Sequence, residues 1–209
     1  MFALLIGLTL VVAAADWWAS YTERRPYELV LKPLTMVVLI AATAVMPDPV
    51  SDTARWIILI ALIWSLAGDV CLLFAERFFL SGLVAFLLAH VAYTIAMLQI
   101  DVVPPLLMLG TVAVLIAAAV VGSRIIRGVQ ETEPAMVGPV VAYLAVISFM
   151  VVAAIGTGTP FAIVGALLFY ASDGFIGWNR FVEELPYRNL LVMVTYHLGQ
   201  VGLVLSLTL

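Results

Sequence analysis

Residues 54–74 read ARWIILIALIWSLAGDVCLLF and residues 78–100 read FFLSGLVAFLLAHVAYTIAMLQI. Crossing the hydrocarbon core of a bilayer takes about 20 mostly apolar residues, so each run is long enough to span. The break at Glu76 and Arg77 is so short that the two runs form a tight antiparallel hairpin. Working outward, the same kind of run recurs at 2–18 and 27–46 before the hairpin, and at 102–121, 136–155, 160–178 and 189–209 after it. The breaks carry helix-stopping residues: Pro47-Asp48-Pro49, Pro104-Pro105, and the stretch from Gly156 to Pro160. Pro104 and Pro105 put the start of the fifth helix a little beyond Val102.

Composition agrees with the runs. Of 209 residues, 65% are hydrophobic and 11% charged, against about 25% charged in a soluble domain. Lipid is therefore the solvent for most of the chain. The expected fold is an all-α membrane protein, a bundle of about eight transmembrane helices forming a single domain over 1–209, with no loop long enough for a soluble domain. The net charge of -4 is spread too thinly to name a partner, and no basic run suggests nucleic acid. Cys71 is the only cysteine, which excludes an intrachain disulfide and a cysteine metal cluster. The first run lacks a basic lead-in, so it reads as a permanent helix rather than a cleaved signal.

Lys and Arg set the expected orientation. Loops 1–2, 3–4, 5–6 and 7–8 hold Arg24, Arg25, Arg77, Arg124, Arg127, Arg180 and Arg188, with Lys32 just inside the second helix; the other side has only Arg55. The odd loops should face the cytoplasm of a cell (inner) membrane protein, with both termini outside. A weak internal repeat also shows. Gly68-Asp69, Glu76-Arg77-Phe78, His90 and Tyr93 are echoed by Ser172-Asp173, Asn179-Arg180-Phe181, Tyr196 and His197. Repeats four helices apart share an orientation, so the halves 1–101 and 102–209 would be a parallel duplication.

Ionisable side chains are costly inside lipid and usually face a bundle interior or a wet cavity. Here they are Asp16, Lys32, Asp69, His90, Asp173 and His197, accompanied by Ser65, Tyr93, Tyr143, Ser172, Tyr196 and Gln200. At 1.5 Å per residue, Asp69 and Asp173 each lie ~8 Å before the odd-loop ends of their helices, Lys32 ~8 Å in, His197 ~12 Å in and His90 ~18 Å in. This sorting into one half of the membrane implies one polar cavity opening toward the cytoplasm. Ser65 and Asp69, His90 and Tyr93, and Tyr196 and Gln200 are three or four apart and share helix faces.

Plainer readings stand beside the functional one. Asp69 could simply pair with Lys32, Lys32 could snorkel to the interface, and the histidines could be helix contacts. Asp16 is close enough to a helix end to be interfacial. Trp17, Trp18, Trp56 and Trp178 read as core or aromatic belt. Gly68, Gly165, Gly174, Gly177, Gly199 and Gly202 read as close-packing positions between helices. There is no His-Glu-x-x-His, phosphate loop or Gly-x-Ser-x-Gly, and no spacing is diagnostic of a metal.

The ordered polar motifs resemble the YhhN-type lysoplasmalogenase family of multi-pass membrane proteins. They are Lys32-Pro33; Ser65-Leu66-Ala67-Gly68-Asp69; Phe86 with His90 and Tyr93; Gly165, Ala166, Phe169, Ser172 and Asp173, followed by Arg180-Phe181; and Tyr196 with Gln200. His197 departs from the family, which often has another aromatic there. The resemblance implies hydrolysis of the vinyl ether bond of lysoplasmalogens to a fatty aldehyde and glycerophosphoethanolamine or glycerophosphocholine, with no metal or organic cofactor. It implies a lysophospholipid substrate in membrane lipid. Asp69 and Asp173 are the expected catalytic carboxyls, either one being the acid, by the paired-carboxylate logic of glycosidases. The expected substrate contacts are Lys32 for the phosphate and His90, Tyr93, Tyr196 and Gln200 for the water or glycerol hydroxyl, with Ser65, Ser172 and His197 as further substrate-binding residues. A proton-coupled transporter using the same aspartates, or a structural partner protein, would be the alternative.

Overall fold

The computed structural model of the chain describes residues 1–208. Its helices are α1 (Phe2–Tyr21), α2 (Arg25–Ala44), α3 (Asp52–Leu72), α4 (Ala75–Met97), α5 (Pro104–Ala117), α6 (Ser123–Thr132), α7 (Val137–Gly156), α8 (Pro160–Phe181) and α9 (Arg188–Leu205). A π-helical turn, Ala118–Gly122, joins α5 to α6 into one long span. Counted that way, eight helical spans are long and apolar enough to cross a membrane. The molecule is an all-helical, multi-pass membrane protein. The end of the last expected run, at Leu209, lies outside the described residues.

Local chemistry sets the helix starts. Proline occupies the first turn of α2, α5 and α8, where a missing N–H costs nothing and the fixed φ suits the helix. Ser51 caps α3 by accepting from the Ala54 amide at 3.2 Å, which satisfies an otherwise orphaned donor.

Seven helices close a ring: α1 packs on α2, α2 on α3, α3 on α4, α4 on α7, α7 on α8, α8 on α9, and α9 back on α1. α5 packs on α7 and buries only Gly110 and Val114, so most of its surface is left for lipid. The helices α8 and α9 cross at close range. A Cβ on Gly165 would lie 2.7 Å from the Leu203 amide nitrogen, and one on Gly202 would lie 2.8 Å from the Gly165 Cα. The two backbones touch, which only glycine permits. Gly174 differs from the expectation for it: a Cβ there would meet nothing within 4 Å.

The fifth span departs most from the expected run at 102–121. It begins at Pro104 and continues to Thr132, so Arg124 and Arg127 lie on a helix and not in a loop. The α6 sequence SRIIRGVQET is too polar for a hydropathy reading, yet Ile125 and Val129 sit four apart on one face. Both are buried against Phe79, Val140 and Phe181. Gly128 lets this turn press against the Phe181 carbonyl.

The bundle is asymmetric along its axis. Leu39, Ile58, Leu62, Met97, Ile147, Met150, Leu203 and Leu207 fill the half toward the even loops and are almost wholly buried. The half toward the odd loops holds the polar residues and the cavities.

Candidate active site

Six helices of the ring each bring one side chain to the two central clusters: Lys32, Asp69, His90, Tyr143, Asp173 and Tyr196. Lys32 on α2 points to Asp69 on α3, with Nζ 3.2 Å from Oδ1. Tyr196 on α9 donates its hydroxyl to the other oxygen of Asp69 at 2.6 Å. Lys32 is 7% exposed and Asp69 1%, so Lys32 does not snorkel out. It is held inside by its counter-ion. Asp69 follows Gly68, where a Cβ would fall 2.6 Å from the Phe86 ring; glycine lets α4 bring that ring against the turn that carries the carboxylate.

Asp173 on α8 sits in a second cluster. Tyr143 on α7 donates to its Oδ2, and His90 Nε2 on α4 lies 3.0 Å from the same oxygen and 2.8 Å from the Tyr143 hydroxyl. The tautomer assigned from this network carries the proton on Nε2, donating to both oxygens. Phe169 stands between the two clusters, edge-on to the His90 ring at 4.8 Å and to the Tyr196 ring at 5.3 Å. The carboxyls therefore sit in two hydrogen-bonded sets separated by an aromatic wedge.

The other expected site residues are all buried, with varied partners. The Tyr93 hydroxyl donates to Gln200 Oε1. Ser172 donates to the Val192 carbonyl at 3.1 Å and ties α8 to α9. Ser65 is fully buried one turn before Asp69. His197 accepts at Nδ1 from the indole N–H of Trp17 at 3.1 Å. Trp17 is thus a partner within the bundle, in contrast to its neighbour Trp18, which is half exposed as belt residues are.

Two cavities adjoin these clusters at the odd-loop end. One of about 500 Å³ is lined by charge: Arg25, Lys32, Arg180 and Arg188 of one sign, Asp16, Glu28 and Glu76 of the other. Asp16 is 0% exposed and stands in this wall, so it belongs to the interior and not to the interface. Its depth alone suggested a helix end; its burial follows from which face α1 turns toward the cavity. The second cavity, of about 50 Å³, is apolar, with Leu83, Phe86, Ile125, Val140 and Phe181 around one carboxyl, that of Asp173, and the Tyr143 ring. Leu72, Phe79 and Ile176 line both cavities. Asp69 is not among the lining residues of either; Lys32 stands between it and the larger space.

Sequence reasoning placed Asp69, Asp173, Lys32, His90 and Tyr196 correctly as interior groups but gave Tyr143 no role. Its helix is apolar throughout and offers no spacing signal; the signal available was its hydroxyl at the depth of Asp173.

Comparison with known proteins fits this arrangement. The sequence profile described as the YhhN family matches residues 27–207. The chain belongs to the YhhN family. It is 35% identical over 154 residues to the mouse (Mus musculus) protein named lysoplasmalogenase TMEM86B, covering 74% of this chain and 64% of the relative. Human (Homo sapiens) lysoplasmalogenase TMEM86B is 36% identical over 146 residues, 70% of this chain and 61% of that one. A Mycobacterium tuberculosis protein named lysoplasmalogenase is 33% identical over 156 residues, 71% of this chain and 58% of that one. The chain thus spans somewhat less than two thirds of the length of these relatives. No solved structure matches it.

Proposed function

We propose that this chain is a lysoplasmalogenase, a hydrolase that cleaves the vinyl ether bond of lysoplasmalogens to a fatty aldehyde and a glycerophosphodiester. One observation carries the reading: a carboxyl that keeps a small exposed fraction, Asp173, stands in the wall of an apolar cavity that shares three residues with a larger charged one. A single-chain ether phospholipid has the same division, with an apolar chain, a reactive ether and a charged headgroup in sequence. The relatives named lysoplasmalogenase support the assignment.

In the proposed reaction the acid form of Asp173 gives its proton to the vinyl carbon remote from the ether oxygen. The C=C electron pair forms the new C–H bond, and an oxocarbenium ion results. Water from the charged cavity adds to the cationic carbon and returns a proton to the Asp173 carboxylate. The hemiacetal then collapses: its hydroxyl loses its proton and the oxygen forms the aldehyde C=O, the carbon–oxygen bond to glycerol breaks, and the glycerol oxygen takes up a proton in exchange. General acid catalysis of this kind contributes about 10²–10⁴-fold. Tyr143 and His90 fix the carboxyl, each through a hydrogen bond to Oδ2.

Lys32 is assigned to the substrate phosphate. An ammonium has three N–H donors, so its bond to Asp69 leaves two for phosphate oxygens. Asp69 then acts through Lys32 and Tyr196 as a positioning residue and supplies negative charge behind the reacting centre. Tyr93, Gln200, Ser172 and His197 hold the surrounding helices in register around it through their hydrogen bonds. We further infer that the cavity faces the cytoplasm in an inner-membrane protein with both termini outside, as the arginine distribution favours. A parallel duplication is supported by the packing order α1–α2–α3–α4, which α5–α7–α8–α9 repeats.

The test uses purified protein in detergent supplied with lysoplasmalogen, with aldehyde measured for wild type, Asp69→Asn and Asp173→Asn. Wild type should release aldehyde and Asp173→Asn should not. No aldehyde from folded wild type sinks the hydrolase reading, and uptake into sealed vesicles without aldehyde would indicate transport instead.

A further inference from the structure

Asp16 has no place in the reaction as derived. It is 0% exposed, and among the described residues neither of its carboxylate oxygens has a hydrogen-bond partner. Across the same cavity wall Glu28 also has a buried, unpartnered oxygen, Oε1, while its Oε2 lies 3.7 Å from Arg25. Buried acceptors without donors are costly and uncommon in native proteins. Three of the cavity's four cations are engaged elsewhere: Lys32 with Asp69, Arg180 with Glu133 and Arg188 with Glu184. The fourth, Arg25, donates to the Leu73 carbonyl and approaches Glu28 only at Oε2. Three carboxylate oxygens, both of Asp16 and Oε1 of Glu28, are thus left without a hydrogen-bond donor from the protein, on residues that line a space large enough for a small ligand.

We propose that Asp16 and Glu28 form a subsite for a primary ammonium group, so that this cavity selects an ethanolamine headgroup over a choline one. The proposal rests on the hydrolase reading for the rest of the substrate. A primary ammonium carries three N–H donors, and three carboxylate oxygens here lack one, two on Asp16 and one on Glu28. A trimethylammonium group has no N–H to offer and is typically held by several aromatic faces. Among the described residues lining this cavity, Phe79 is the only aromatic. Lys32 is four residues from Glu28 and shares its helix face, so one turn of α2 presents a cation for the phosphate and an acid for the ammonium.

The experiment measures KM for lysoplasmenylethanolamine and lysoplasmenylcholine of equal chain length, using the full chain as wild type, Asp16→Asn and Glu28→Gln. The same proteins are heated with and without glycerophosphoethanolamine or glycerophosphocholine, and the unfolding midpoint is read. Wild type should show a KM about tenfold lower for the ethanolamine substrate, the size of one charge-assisted hydrogen bond. Asp16→Asn should raise that KM about tenfold and the choline KM less than twofold, which removes the preference. Equal KM values in wild type overturn the subsite. So does an Asp16→Asn protein that weakens both substrates alike, since that outcome makes Asp16 a structural counter-charge to Lys32. Should Asp16→Asn not fold, the same split is read from Glu28→Gln. Should folded wild type release no aldehyde from either lipid, the hydrolase reading falls and the midpoints decide. A larger shift with glycerophosphoethanolamine, lost in the variant, keeps the ammonium subsite; equal shifts remove it.

Discussion

Asp69 and Asp173 lie at matching depths on α3 and α8, and each accepts from a tyrosine of another helix, Tyr196 on α9 across the ring and Tyr143 on the adjoining α7. Their surroundings differ in kind. Asp69 has an ammonium at 3.2 Å and lines neither of the two cavities. Asp173 has a histidine and an apolar cavity. In the proposed reaction the two carboxyls divide the work, with one held by charge to fix Lys32 and the other left in contact with the space where a lipid chain fits. Removing one partner of a buried ion pair and removing a proton donor have different signatures, so the comparison can be broken experimentally.

The largest expected effect is at Asp173. Asp173→Asn keeps the volume and the hydrogen bond from Tyr143 but loses the transferable proton, and kcat should fall about 10³-fold. Its thermal unfolding in detergent should stay close to wild type. A variant keeping more than a tenth of wild-type aldehyde release would end the assignment of Asp173 as the acid. At Asp69 stability should suffer first. Asp69→Asn strands the Lys32 ammonium in the interior, a loss of about 3 kcal/mol, visible as a lower midpoint in denaturant titration. Adding Lys32→Met should recover most of that stability and none of the activity. If the double variant is no more stable than the single one, Lys32 and Asp69 are not the unit described here.

Two smaller tests sharpen the contrast. Tyr143→Phe should lower kcat about tenfold by loosening the acid, whereas Tyr196→Phe should cost about 1 kcal/mol of stability with a smaller kinetic effect, as the loss of one hydrogen bond predicts. Equal kinetic losses would mean that both carboxyls touch substrate. Gly199→Ala should destabilise by about 1–3 kcal/mol through overpacking, since its Cβ would lie 2.9 Å from the Phe169 amide nitrogen. Gly174→Ala, next to Asp173 and facing open space, should change stability by no more than about 1 kcal/mol, in the favourable direction. Loss of activity there with stability intact would show that the open space beside Asp173 is used by substrate.

Most of the spans were legible because lipid forces apolar residues to run continuously, so length alone separates them. α6 was not legible: Arg124, Arg127, Gln130 and Glu131 break the run, and only Ile125 and Val129 reveal a buried face once α8 is beside them. The ion pair of Lys32 with Asp69 could be read as one of several options, since both residues lie near the odd-loop end. The company of Asp173 could not, because His90 and Tyr143 arrive from helices whose rotation no local pattern fixes. Asp16 looked interfacial for the same reason: depth is readable from sequence, but the direction a side chain faces depends on which helices close around it.

Leu72, Phe79 and Ile176 belong to the walls of both cavities. In the proposed reaction they form a partition that one molecule straddles until it is cut. The two fragments have opposite solubilities, and each is released on the side that already suits it. The phosphodiester departs through a wet mouth and the aldehyde remains with the lipid. Bond breaking thereby becomes sorting, and the separated products have no shared compartment in which to recombine.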